Sequence, residues 1–287
     1  MVDVAYARPG EREEIARFMQ EVFPRAKWSS DGWRALLAPP WSVPESHFAI
    51  TARDSGRLAG VLGLVTAERR TAAGLKRTAN MTSWYVLKPY RSLGIGHRMI
   101  ALATADPSVT VTNFTSSRGA VPVVESAGMR VLDRDRLLWR PRRQPRHRRL
   151  PVHSDPAALG DALPEHVRRT LADHEGLNLA LAVIETADGF CPLLHTTRRK
   201  RDSHLTCEVL YAGDRVLLAR HARAIADTLL PLEGVELSID RRFLPPDSEA
   251  DGAEPIPVPR YYIPGGMAAA EVDYLYSEIV VLDMKMS

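Results

Sequence analysis

From residue 90 to 97 the chain reads Tyr-Arg-Ser-Leu-Gly-Ile-Gly-His, and an apolar helical pattern through Met99, Ile100 and Leu102 follows at once. The first amides of a helix have no partner inside it, and the helix dipole adds about half a positive charge there. A phosphate group at such an end is held by both effects, and Gly94 and Gly96 let backbone and ligand approach with no Cβ between them. The stretch therefore suits a diphosphate. It is not a dinucleotide fingerprint, because Met99 stands where the third glycine belongs, and it lacks the Gly-Lys-Ser/Thr of a P-loop.

The flanking segments supply what such a loop needs. Residues 8–23, "RPGEREEIARFMQEVF", predict a helix: Pro9 suits a first turn, Glu11, Glu13 and Glu14 face the positive end, and Ile15, Phe18, Met19 and Val22 recur at helical spacing. Residues 29–37, "SSDGWRALL", predict a second, capped by Ser29, Ser30 or Asp31. Residues 47–70 then read as two strands around Asp54-Ser55-Gly56, and "TANMTSWYVL" (78–87) as a third after a polar loop at 73–76. Behind the glycines come a helix, a β-rich run "SVTVTNF", a second helix ended by Gly128, and a last strand.

In that order of elements, "VLKPYRSLGIG" after a strand resembles the Arg-x-x-Gly-x-Gly acyl-CoA loop of the GNAT family of N-acyltransferases. "SSRGAVPVVESAGM" is similar to that family's fourth helix, and the resemblance covers about residues 3–140. It implies an α/β (α+β) fold with a mixed, mostly antiparallel sheet flanked by helices. It also implies acetyl-CoA or another acyl-CoA as co-substrate, held by Tyr85, Val86, Arg91, Ser92, Leu93, Gly94, Ile95, Gly96, His97 and Ser117, with no metal. The sequence departs from the family in two places: Ser117 stands where asparagine is frequent, and Val124 where many members carry the tyrosine that protonates the leaving thiolate.

The reaction so implied is direct transfer of the acyl group to a primary amine of a small molecule. An amide near Tyr85 and Val86 would hold the thioester carbonyl where negative charge develops. The amine must lose a proton, and His47, Glu68 and Glu208 are the candidate bases, with Tyr85 the candidate side chain beside the thioester. Cys207 has His204 nearby, but three residues along a strand point to opposite faces, which argues against a cysteine nucleophile.

The second half aligns with the first without gaps: "CEVLYAGDRVLLARHARAIA" lies over "WYVLKPYRSLGIGHRMIALA", with Asp214, Leu217 and Ala219 in place of Arg91, Gly94 and Gly96. We expect a tandem arrangement: a GNAT-like acyl-CoA-binding domain at 1–140, an Arg/Pro-rich linker at 141–150, and a degenerate GNAT-like domain without the loop at 151–287. Residues 244–259, "LPPDSEADGAEPIPVP", read as an acidic surface loop, and the tail from Glu271 as a closing strand.

Charge divides the same way, with 25 Lys/Arg against 13 Asp/Glu in residues 1–150 and 13 against 22 thereafter. The basic half suits a polyanionic ligand, although eight of its arginines fall between residues 134 and 150. That run raises a nucleic-acid-associated protein as one rival, which no aromatic–basic interleaving supports. A non-catalytic acyl-CoA-binding or scaffolding protein is the other, favoured by Val124. Two cysteines build neither a disulfide framework nor a zinc site, and with no membrane span or signal segment in view the cytoplasm is the expected location.

Overall fold

The computed structural model describes residues 1–43, 45–142, 149–200, 204–231 and 234–284. In chain order its elements are β1 (Asp3–Tyr6), α1 (Arg12–Val22), α2 (Ser30–Leu37), β2 (Ala49–Asp54), β3 (Arg57–Thr71), β4 (Gly74–Val86), α3 (Ile95–Ala103), β5 (Val109–Asn113), α4 (Val121–Ser126) and β6 (Arg130–Trp139). There follow β7 (Val152–His153), α5 (Glu165–Asp173), β8 (Ala180–Thr186), β9 (Gly189–Lys200), β10 (His204–Ala212), α6 (Arg215–Leu229), β11 (Val235–Asp240), β12 (Gly252–Ile263) and α7 (Glu278–Val281).

The strands form one mixed sheet in the order β1-β2-β3-β4-β5-β12-β6-β11-β10-β9-β8-β7. In the first half β2, β3 and β4 form an antiparallel meander, and β5 returns parallel to β4 after α3. The second half repeats that pairing: β8, β9 and β10 are antiparallel, and β11 returns parallel to β10 after α6. Both faces of the first half are covered. Ile15, Phe18 and Met19 of α1 and Trp33, Leu36 and Leu37 of α2 bury their apolar stripes on one face, while Ile95, Met99 and Ile100 of α3 and Val124 of α4 pack on the other.

Three expectations change. The short edge strand β1 precedes α1 and pairs with β2. Residues 252–263, expected in part as a surface loop, form β12 between β5 and β6; Pro257 and Pro259 fall within the register break between Pro255 and Arg260, where no ladder donor is needed. The tail is not a strand. It runs as an irregular segment into α7, and Tyr274 through Val280 are buried. A buried plug has no solvent face to impose alternation, which is why its pattern read weakly.

The linker expected at 141–150 lies outside the described residues at 143–148, although its ends are tied to α6: Arg142 N donates to Asp227 Oδ1 and Leu150 N to Thr228 Oγ1, each at 3.0 Å. The sheet itself runs across this boundary, since β6 pairs with β11.

The tail is anchored by a neutral histidine. Buried His174 donates from Nδ1 to Thr170 O at 2.9 Å and accepts at Nε2 from Tyr276 N at 3.2 Å, an arrangement that requires an unprotonated ring. Burial pulls His174 down to about 4, and burial does the same to His195. A histidine depressed in the folded state contributes stability that is present above the ordinary value near 6.5 and lost as the pH falls through the folded value. Glu278, raised to about 7 by burial, opposes this with one group against two. The melting temperature should therefore fall as the pH is lowered from about 6.5 toward about 4, and His174→Gln should flatten that slope; thermal melts across the window check it.

Candidate active site

The functional geometry follows from an interruption between β4 and β5. They pair from Arg77↔Val109 to Asn80↔Thr112, after which β5 ends at Asn113 while β4 continues to Val86. The β3–β4 register breaks at the same level. Val61 pairs with Tyr85 and Gly63 with Thr82, so two residues of β4, Ser83 and Trp84, oppose Leu62 alone. This is a β-bulge, with Ser83 at φ +48°.

The bulge sets the next two side chains on opposite faces. Trp84 packs toward α3, where its ring leaves only 2.5 Å to a Cβ built on Gly96. Gly96 is thus required by its aromatic neighbour. Tyr85 turns to the other face and meets the Phe23 ring edge-on at 5.6 Å.

After β4 a 3-10 turn over Lys88–Leu93 leads to Gly94, which at φ +67° starts α3 and has no atom within 4 Å of where a Cβ would stand. Arg91 is tethered without being buried: its Nε donates to Val86 O at 2.9 Å, and its guanidinium lies 5.3 Å from the centre of the Tyr85 ring. An open glycine at the head of a nine-residue helix, beside an exposed arginine, fits the diphosphate of an acyl-CoA.

A cavity of about 940 Å³ fills the space between the separated strands. Arg91, Gly94, Gly96 and His97 line it on the loop side and Phe23, Trp28 and Trp33 on the α1–α2 side, with Tyr85 between the two groups, beside both Arg91 and Phe23. The aromatic end is closed by the tail, where Trp28 Nε1 donates to Leu282 O at 2.6 Å and Leu282 lines the wall. No carboxylate lines the cavity among the described residues.

Of the residues expected to hold acyl-CoA, Tyr85, Val86, Arg91, Gly94, Gly96, His97 and Ser117 line the cavity. Ser92 and Leu93 are exposed on the loop and Ile95 is buried in the core, so these three offer backbone rather than side chains. Among the expected bases and acids only Tyr85 lies on the cavity wall. His47 is exposed and stacked on Tyr6 with ring centres 3.6 Å apart, and Glu68 points to solvent from β3. Glu208 is fully buried and ion-paired with Arg136 at 3.2 Å. None of these three side chains lines the cavity.

Val124 is fully buried in the core beside α3, whereas Val123 of α4 and Ala120, just before that helix, line the cavity. Cys207 lies 3.2 Å from His195 Nδ1 across β9 and β10, a contact that nearness in sequence to His204 did not suggest. Burial pushes its thiol up to about 12, so it is inert. Phe23, Trp28, Trp33 and Thr115 of the cavity lining were not singled out as site residues from sequence. Trp28 and Trp33, two indoles within six residues of a helix start, were the available signal.

The acetyltransferase (GNAT) family model matches residues 12–106, from α1 to just past α3. No curated protein matches the sequence. Among solved structures, the chain is similar to a GCN5-related N-acetyltransferase from Anabaena variabilis ATCC 29413, at 12% identity and a TM-score of 0.55 over 91% of this chain and 72% of that one. It is similar to another from Kribbella flavida, at 11% identity and 0.55 over 91% and 70%. A third, from Sphaerobacter thermophilus, aligns at 17% identity and 0.50 over 93% and 98%. At these identities the likeness is one of fold, and it spans both halves of the chain. The family match marks residues 12–106 as an acetyltransferase domain of the GNAT family.

Proposed function

We propose that this protein transfers the acyl group of an acyl-CoA, acetyl-CoA in the first instance, to the primary amine of a small molecule with an apolar or aromatic body. The observation that carries the reading is the single cavity between β4 and β5, with the glycine loop at one end and an aromatic wall at the other. The diphosphate is assigned to the Gly94 loop and Arg91, and the thioester to the β4 edge near Tyr85 and Val86. A CoA thiol resembles a cysteine, with a pKa of roughly 8.5, so the thiolate can leave without the family's usual acid on α4.

The acceptor end argues for the amine class. The Trp33 ring lies 5.5 Å from both the Phe23 and the Trp28 ring centres, and Arg25 also lines the cavity. A polycationic acceptor would find repulsion and no carboxylate there. A single apolar amine gains from burial of its body, and the same desolvation favours the neutral form that attacks.

We read the second half as a degenerate copy that does not bind CoA. Asp214 occupies the place of Arg91, and its carboxylate accepts from Leu217 N at 2.9 Å, so the helix start is already capped by the protein's own anion. Leu217 and Ala219 replace the glycines, and Leu217 is buried. The chain is read as acting in the cytoplasm on small molecules rather than on nucleic acid; no helix among the described residues is long and apolar enough to cross a membrane.

Two outcomes are expected. Calorimetric titration with acetyl-CoA should give one site per chain, abolished in a folded Gly94→Asp protein because the substitution sets a negative charge beside the diphosphate. A stoichiometry of two, or unchanged affinity in Gly94→Asp, would remove the assignment. Trp28→Ala should raise the KM for apolar amines at least about tenfold, through loss of buried aromatic area, while leaving acetyl-CoA affinity unchanged. Steady-state kinetics over apolar and polycationic amines, read by thiol release, checks both the effect and the preference; wild type favouring polycations would refute the amine class.

A further inference from the structure

The cavity has no carboxylate on its wall among the described residues, yet one lies a single hydroxyl away. Glu278, the first residue of α7, is fully buried between the sheet and the tail. Its Oε1 accepts from Thr115 Oγ1 at 2.8 Å, its backbone N donates to Asn80 Oδ1 at 3.1 Å, and its Oε2 is buried with no hydrogen-bond partner among the described residues. Thr115, just beyond the end of β5, lines the cavity, as does Leu282 one helical turn after Glu278. Leu282 is the residue whose carbonyl holds Trp28, so the carboxylate lies on the acceptor side.

A buried carboxylate with one of its oxygens unpaired is costly, and glutamine or methionine would fill the same space with less penalty. The residue needs a reason to ionise.

We infer that Thr115 and Glu278 are the proton path for the acceptor amine. As the amine nitrogen attacks the thioester carbon, an N–H proton passes to Thr115 Oγ1 while the Thr115 hydroxyl proton moves to Glu278 Oε1. The C–N bond forms, the C–S bond breaks, and sulfur leaves with the electron pair. The proton then returns through Thr115 to the thiolate, leaving amide, thiol and a carboxylate ready for the next turnover. Thr115 touches the substrate in this scheme, and Glu278 acts through it.

The surroundings make the exchange feasible near neutral pH. Burial pushes the Glu278 carboxyl up to about 7, and the Thr115 hydrogen bond and the Arg260 charge pull it back only in part. Arg260, on β12, is itself tied to Asp240 of β11 at 2.7 Å. From β4 and from the segment after β5 the facing groups are the neutral Asn80 and Thr115, and α2, which packs on α7, keeps its charged Asp31 and Arg34 at the surface paired with each other. A base must be ionised to accept, so turnover should rise with pH through about 7 and level above it.

This inference rests on the proposed acyl transfer, and the test separates the two. Thiol release from acetyl-CoA is followed from pH 5.5 to 9 with two apolar amines of different basicity, in wild type, Glu278→Gln, Thr115→Val and Thr115→Ser, alongside acetyl-CoA affinity and melting temperature. We expect a limb rising through about pH 7 that is the same for both amines and persists in Thr115→Ser. In Glu278→Gln and Thr115→Val that limb should vanish and kcat fall about 10²- to 10⁴-fold, with acetyl-CoA affinity unchanged. A Glu278→Gln protein that keeps the rate and the limb overturns the proton path and leaves acyl transfer standing. A rate loss in either variant that tracks lost acetyl-CoA affinity also overturns it, because the role is then structural. Wild type that binds acetyl-CoA and turns over no amine removes the proposed function and the path together. Should Glu278→Gln fail to fold, Thr115→Val against Thr115→Ser decides on the same criteria.

Discussion

The separation of β4 from β5 after Asn80 and Thr112 is the constraint on which the rest of the molecule turns. Parallel strands that part leave backbone groups facing a gap, and such groups must find partners in water or in a ligand. The bulge at Ser83 and Trp84 sets the twist at that level, so Trp84 serves the α3 face and Tyr85 the α1 face. Loop, aromatic wall and tail are then three borders of one opening.

The opening survives because the sheet is held on both sides of it. β4 is gripped by the long hairpin with β3, and β5 is backed by β12, which comes from far along the chain. Around β12 the interior is ionic rather than oily: Arg260 pairs with Asp240, Arg136 with Glu208, Arg242 with Asp133, and Arg69 with Asp273. Buried pairs recover little net stability once desolvation is counted, but each is lost outright if the register slips. Their consequence here is positional: Arg69 through Asp273, Arg242 through Val272 O and Arg260 through Tyr274 hold the 271–281 segment, after which Leu282 lines the cavity.

Much of this was legible in local pattern. The apolar spacing of Ile15, Phe18 and Met19, the turn at Ser55-Gly56 and the Gly94–Gly96 loop each state their conformation within a few residues, since helical period, positive φ and a helix start are properties of short segments. β12 was not legible, because Pro255, Pro257 and Pro259 argue for a loop, and only the register break after Pro255 shows how the strand tolerates the last two. The tail was not legible either, since a segment buried on every side carries no period.

Glu208 and Glu278 mark the boundary between the two kinds of information. Each is a lone carboxylate beside aliphatic neighbours, "CEVL" and "SEIV", and that adjacency is all the sequence by itself determines about them. What each meets there is decided only by the tertiary fold: Arg136, 72 residues away, neutralises the first, and Thr115, 163 residues away, gives the second its one hydroxyl and its route to the cavity. Backbone conformation is set by near neighbours, whereas the charge state and reach of a buried acid depend on groups that long-range strand pairing brings against it.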